Sequence, residues 1–383
     1  MGRNWGTLFN FVKCVLGTGI LAMPNAFYYS GYAIGISGMV LVSFVVIYCK
    51  HMLTLPAKSL PMLRFCPQLK CSYYHCKKKK VPLLTFEDTV VAAFGEGPLP
   101  FKKCAPYMRS AVRVTICVYM TGVLVVYTVF IGANLKAVCS EYVEEIDERL
   151  YMLMALPVII LINCVRDLKF LVPFSVVANT LAIVSLGIVL YYVFVDLDTL
   201  DRIDPVGELA NMPLFFATAV FALEPVTYVS FYNNQAAVEV KSVEALLAQS
   251  VRIMQCLAIV VTHVLHNIVT VNIVWDNYLA KIIKRYRLLV EYTIRIGPSN
   301  VCLAVAVPKL DLFISLLGAL GLSLLGIVLP ALVEMSDQWY LVDRSHLPAM
   351  VAKNLFIALL GLLALITGTY SSLLKIVNYF QGL

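Results

Sequence analysis

Apolar residues in this chain come in unbroken runs, with neither the three-to-four spacing of a half-buried helix nor the alternation of a half-buried strand. A bilayer core about 30 Å thick takes roughly 20 helical residues to cross, and marking runs of that size predicts about ten spans. The first five are Asn4 to Tyr28, Tyr32 to Leu55, Ala111 to Val138, Tyr151 to Val165 and Phe170 to Val195. The remainder are Met212 to Phe231, Leu246 to Val274, Tyr292 to Val307, Leu310 to Glu334 and Val351 to Phe380. The eighth, interrupted by Arg295, Gly297 and Pro298, is the least regular. In lipid a backbone must satisfy its own polar groups, so these runs predict helices. The expected fold class is all-α: a polytopic helical membrane protein with one transmembrane domain over residues 1–383.

Charge adds a topology. Lys58, Arg64, Lys70, Lys77 to Lys80, Lys102, Lys103 and Arg109 crowd the stretch between the second and third spans, so residues 56–110 read as a basic cytoplasmic loop. The acidic loops carrying Glu141 to Glu148 and Asp196 to Glu208 then fall outside, and Arg166 and Lys169 fall inside. Ten alternating spans, however, put Lys281, Lys284, Arg285 and Arg287 on the outer side. Two explanations stand. Either one crossing is missing between Phe231 and Leu246, where only a short polar stretch lies, or this loop departs from a rule that is only a bias. A glycosylation reporter near Tyr286 separates them.

Composition removes other classes. With 60% hydrophobic and 14% charged residues the chain cannot cover a soluble body, where about 25% charge is usual. Much of the net charge of +7 sits in one loop, which argues for topology and against nucleic acid, and Lys77 to Lys80 read as a grip on anionic lipid or simply as a solvated topogenic patch. Cys66, Cys71, His75 and Cys76 lack the spacing of a zinc site, and no phosphate-binding loop or nucleophile elbow occurs in a fitting context. The residues call for no cofactor and no enzyme activity. The expected location is an integral position in the plasma membrane or a lysosomal or endosomal membrane.

Two spans are broken in the middle. The first carries Gly17-Thr18-Gly19 and then Pro24, and the sixth carries Glu224-Pro225, five spans later. Glycine loosens a helix and proline removes an N–H, so backbone groups are freed there. Within a bilayer such groups are tolerated only against protein or a wet cavity, where they can bind a ligand. Paired breaks at this spacing point to inverted repeats with a midplane site. Kinks that serve packing alone are the competing reading.

These residues resemble a known family. Asn10-Phe11-Val12-Lys13 followed by Gly17-Thr18-Gly19-Ile20-Leu21-Ala22-Met23-Pro24-Asn25-Ala26-Phe27 looks like the opening helix of proton-coupled amino acid transporters. The likeness continues in Met212 to Glu224, Asn233-Asn234, Pro308 to Leu316 and Gly368-Thr369-Tyr370. It implies the amino acid and auxin permease class, an eleven-helix inverted-repeat fold of the LeuT type, and symport of small neutral amino acids with protons. Carried over, it nominates Gly17, Thr18, Gly19, Phe221 and Glu224 as substrate-binding. The chain departs from the pattern at Asn10, where relatives usually carry His, at Cys14, and at Pro225-Val226-Thr227 after the Glu. The family's seventh helix falls where the parity argument finds a gap.

Glu224 is the sharpest candidate, because a carboxylate at mid-membrane is costly and serves substrate or proton, or else accepts N–H groups freed by Pro225. Lys13 either neutralises it or snorkels. Glu224 and Lys13 are thus the proton-coupling candidates. His263 and His266, three apart on one face, read as packing or as a proton relay. The expected partners are an amino acid, protons and lipid. The rival to a transporter is a non-transporting amino acid sensor that keeps the site without the cycle.

Overall fold

The computed structural model describes residues 18–52, 75, 78, 86–140, 142, 146–163, 168–195, 205–223, 242–275, 304–305, 310–340 and 342–381. Among them there is no strand. The helices are α1 (Thr18–Ser30), α2 (Tyr32–Met52), α3 (Phe86–Glu96), α4 (Leu99–Cys139), α5 (Glu148–Asn163), α6 (Leu168–Val195), α7 (Met212–Leu223) and α8 (Ser242–Val274). A rod over residues 310–337 follows, made of α9 (Leu310–Leu317), a π-helical stretch (Gly318–Val328) and α10 (Leu329–Asp337), and α11 (Leu347–Gln381) closes the order. Among the described residues six helices are long and apolar enough to cross a membrane, within α2, α4, α6, α8, the 310–337 rod and α11. This is an all-α polytopic membrane protein.

Contacts fix the registers. Along the rod Leu317 meets Gly122 and Gly321 meets Tyr119, while Leu329 and Val333 cluster with Val112, so rod and α4 run antiparallel. The rod and α11 are antiparallel too: Glu334 pairs with Lys353 at 3.0 Å, Gly361 lies on Val328, Gly368 on Ala319, and Ser315 bonds Ser372 at 3.0 Å. For α8 and α4 the markers are Gln249 on Tyr142 (3.1 Å), Arg252 on the Ala137 carbonyl (3.1 Å), and His263 and His266 on Tyr127. Polar groups cap this last pair at its outer end, and aromatic ones pack at its middle.

The third span differs from its expected bounds. Helix α4 starts at Leu99 instead of Ala111 and runs for 41 residues, about 60 Å at 1.5 Å per residue. That is twice a hydrocarbon core. Counting inward about 20 residues from Ala137, where Arg252 marks the outer boundary, the core ends near Cys117 and places Tyr127 at mid-depth. The remaining turns extend beyond the core at the end that carries Lys102, Lys103 and Arg109. They start where Pro98, in extended conformation, and Pro100 suit a helix N-terminus.

From Phe86 onward, then, the stretch read as loop is helical. Helix α3 buries Val90, Ala93 and Phe94 against Ala105 and Val112 of α4 and Leu329 and Val333 of the rod. Charge fastens it: Arg113 grips Glu87 through two bonds (2.7 and 3.0 Å), and Arg109 reaches Asp88 at 2.7 Å. His75, weighed above as a metal ligand, is buried with Nε2 3.1 Å from Asp337 and Nδ1 3.5 Å from Glu96. Cys66, Cys71 and Cys76 lie outside the described residues, as do most of the Tyr292 to Val307 span and the basic stretch at 281–287.

Candidate functional site

The two broken spans meet. Helices α1 and α7 pack together, with Phe27 edge-on to Phe215 (6.3 Å, 73°), and Phe215 fully buried. A clamp holds them at the outer end: Gly31 takes φ 74°, which glycine adopts without strain, and turns the chain into α2. Ala33 N donates to Pro205 O (3.0 Å) and Gly207 N to Ser30 O (2.8 Å) across that turn. From this end α1 descends 13 residues to Thr18 and α7 descends 12 to Leu223, about 20 and 18 Å. Both described helices therefore reach the middle of the bilayer side by side.

Close backbone approach positions α7. Gly318 of the π-helical stretch sits so near the Ala217 carbonyl that a Cβ there would collide with it, and would lie 3.1 Å from Phe221 Cβ. Gly368 of α11 approaches Ala319 and Ala217 from the other side. The wider i→i+5 winding is supported by Ser323, whose hydroxyl donates to the Gly318 carbonyl at 3.3 Å. Such windings gather at functional sites.

Of the expected site residues, Phe221 is buried in the central cluster with Met23, Ala26, Tyr127 and Leu317. Thr18 and Gly19 form the first described turn of α1 and are helical in backbone. Gly17, Glu224 and Lys13 lie outside the described residues, as does Asn10. The described residues packed around Phe221 are mostly apolar and aromatic, with Thr218, Ser323 and the Ser315–Ser372 pair as buried polar groups on the same helices. At the outer end Lys375 of α11 stands 4.3 Å over the Tyr29 ring, and the carboxylates of Glu208 and Asp311 act on the same ammonium. This ties α1 to α11 at that end. Sequence reading missed that contact, whose members are far apart in the chain. It also missed the π-helical stretch, although the glycines at 318, 321 and 326 were its available signal.

Two helices that reach mid-bilayer side by side, each next to a glycine or proline break in the sequence, suit the binding of a small zwitterion or a small neutral solute. Comparison with known proteins decides the class. The model of the transmembrane amino acid transporter protein family matches residues 2–236, across both broken spans. The chain belongs to this family. It is similar to the proton-coupled amino acid transporter-like protein pathetic of Drosophila melanogaster, at 29% identity over 98% of the chain and 86% of the relative. It also resembles amino acid transporter ANT1 of Arabidopsis thaliana, at 26% identity over 57% of the chain and 46% of that protein. As a member of this family it is an integral membrane protein and not an enzyme. The alignment with the Drosophila protein spans 424 positions against 383 residues here, so at least 41 positions of it have no counterpart in this chain. That is room for one membrane helix and its loops.

Proposed function

We propose that this protein is a secondary active transporter that carries small neutral amino acids together with protons, on an inverted-repeat fold of the LeuT type. One observation carries the reading: α1 and α7, which adjoin Gly17 and Glu224-Pro225 in the sequence, pack antiparallel and reach mid-bilayer together. Backbone N–H groups at Gly17, Thr18 and Gly19 take the substrate carboxylate, as helix breaks do for anions. Phe221 limits the size of the side chain, and Glu224 receives the amine and exchanges a proton, with Lys13 as its counter-charge. The name of the Drosophila relative supports coupling to protons. The unmatched positions of the alignment include, in this reading, the crossing that charge parity finds missing between Phe231 and Leu246.

Uptake of labelled alanine, glycine and proline into proteoliposomes at external pH 7.5 and 5.5 tests this. Saturable uptake, higher at pH 5.5, is expected. In Glu224→Gln, which keeps the shape and loses the charge, uptake falls tenfold or more, since a hydrogen bond to a charged group contributes about 1.5–3 kcal/mol. Unchanged uptake in that variant removes the proton role. Folded protein that binds alanine and never transports it is a sensor instead.

A further inference from the structure

Two imidazoles lie where the substrate reading does not use them. His263 and His266 stand three residues apart on α8, both turned toward Tyr127 of α4, with ring centroids 6.4 and 5.3 Å away. Their depth follows from the α4–α8 register. Arg252 marks the outer boundary on the Ala137 carbonyl, and His263 is 11 residues further, about 16 Å or half a hydrocarbon core. Tyr127 arrives at the same depth by the count along α4. Tyr127 also belongs to the central cluster that holds Met23 of α1 and Phe221 of α7.

The hydrogen bonds define which nitrogens are open. His266 Nδ1 is 3.0 Å from the Thr262 carbonyl, an acceptor only, so Nδ1 carries the hydrogen and Nε2 of the neutral ring holds a lone pair. His263 is 3% exposed, and among the described residues its Nδ1 has no partner. An unsatisfied buried imidazole nitrogen is costly in any core, and more so at mid-bilayer. Packing alone would be served as well by Leu or Phe.

Apart from cysteines, most other ionisable groups on the packed elements stand toward the ends. On α8 these are Glu244 and Arg252, with the buried thiol of Cys256 seven residues before His263, and on α4 they are Lys136 near the outer end and Lys102, Lys103, Tyr107, Arg109 and Arg113 in the turns beyond the core, with Cys117 and Tyr119 nearer to Tyr127. On α5, Glu148, Arg149 and Tyr151 occupy the first turn, whereas Ile162 near its other end is what packs beside Val264, Leu265 and Ile268. On α6 they are Lys169 at one end and Tyr191 and Tyr192 toward the other. The ionisable group that acts on His263 is His266.

We propose that the His263–His266 pair, backed by Tyr127, is a proton-binding site of the transport cycle, loading one proton on the Nε2 lone pair of His266 and releasing it from the same atom. The inference rests on the proton-coupled reading above and deepens it, by giving the chain a titratable site that Asn10 cannot supply. Holding an imidazolium among apolar side chains is expensive, so occupancy by a proton must alternate with access to water, as a cycle of alternating access supplies. The aromatic contact joins the pair to the cluster around Phe221, which is how proton loading would bear on the substrate site.

The test uses the full chain in proteoliposomes with labelled alanine, comparing wild type with His263→Gln/His266→Gln, which keeps hydrogen-bonding capacity and cannot take a proton in this range. Two quantities are read: the ratio of net uptake at pH 5.5 to that at 7.5, and alanine–alanine exchange at equal pH, which needs no net proton movement. The expected result is a wild-type ratio well above 1 that falls to about 1 in the double variant, with exchange within about twofold of wild type. A double variant with the wild-type ratio overturns this inference and leaves the coupled reading intact. A wild type without acid stimulation overturns the coupled reading and this inference with it. If the double variant fails to exchange, nitrogen-15 histidine spectra of wild type in nanodiscs decide: a signal from the pair that titrates and shifts on adding alanine supports the site. Imidazoles that stay neutral from pH 7.5 to 4.5, with and without alanine, overturn it.

Discussion

The charged end of α3, α4 and α10 and the membrane interior of this protein are held together by opposite means. At the end, α3, the first turns of α4 and α10 are joined by charge: Glu87 with Arg113, Asp88 with Arg109, Glu96 with Lys78, and His75 between Glu96 and Asp337. In the interior, α7, the rod of α9 and the π-helical stretch, and α11 meet through glycines and short hydroxyl contacts such as Ser315 of α9 with Ser372 of α11 at 3.0 Å. The reason is the solvent. Next to water, ions keep part of their hydration and pair at little cost, whereas lipid offers no hydrophobic gain for joining helices, so close backbone approach and dispersion must do it. Shape therefore governs the packing of α7 against the π-helical stretch and α11, and electrostatics governs the charged end that supports it.

The largest expected effect lies on the interior side of that contrast. Gly318→Val forces side-chain carbons into the Ala217 carbonyl and against Phe221, and neither backbone nor buried phenyl ring has room to give. Overpacking of this kind costs about 3 kcal/mol or more. Thermal unfolding followed by fluorescence-detected gel filtration should show a markedly lower midpoint, with alanine uptake lost. Gly326→Ala supplies the control in the same stretch, since nothing lies within 4 Å of its added carbon, and its midpoint should stay at or above wild type. Equal damage from both would mean that the stretch tolerates no side chain for reasons of winding, and the close-approach account would be wrong.

At the charged end the strongest link is Glu87–Arg113, with side chains 15% and 18% exposed and two bonds of 2.7 and 3.0 Å. Glu87→Gln keeps the size and removes one charge. Its cost falls between that of an exposed pair and that of a buried one, about 2 kcal/mol. The loss should persist in 0.5 M salt, because half-buried pairs are poorly screened. Faster protease cleavage near α3 with little change in alanine exchange would show that this end supports the transporter without shaping its substrate site.

How much of this was legible in sequence follows the same division. Apolar runs revealed the spans because lipid demands them residue by residue, and the breaks at Gly17 to Gly19 and at Glu224-Pro225 stood out against them. The extension of α4 beyond the core did not, because Lys102, Lys103 and Arg109 interrupt the run while the helix continues on the support of α3. The winding over Gly318–Val328 left only glycines as a trace, since a change of hydrogen-bond register has no composition of its own. His263 and His266 were visible as a pair. Tyr127, 136 positions before His263, became their neighbour only through the α4–α8 register.

The smallest expected effect sharpens the comparison within the charged end itself. Arg109 and Asp88 form a bond as short as that of Arg113, 2.7 Å, but their side chains are 51% and 34% exposed. Length alone would rank the two pairs together, and exposure separates them: water screens the outer pair, and ordering two mobile side chains offsets most of its Coulomb gain. Arg109→Ala should therefore cost less than about 0.5 kcal/mol, a difference that 0.5 M salt erases. Asp88→Ala should cost somewhat more, about 0.5–1 kcal/mol, because Asp88 also stands in the first turn of α3, where a negative charge meets unpaired N–H groups. The order Glu87→Gln, Asp88→Ala, Arg109→Ala in unfolding midpoint, with only the last flattened by salt, is what burial predicts. If Arg109→Ala matched Glu87→Gln, bond length and not desolvation would set the strength of this end, and the division drawn between the two regions would lose its physical basis.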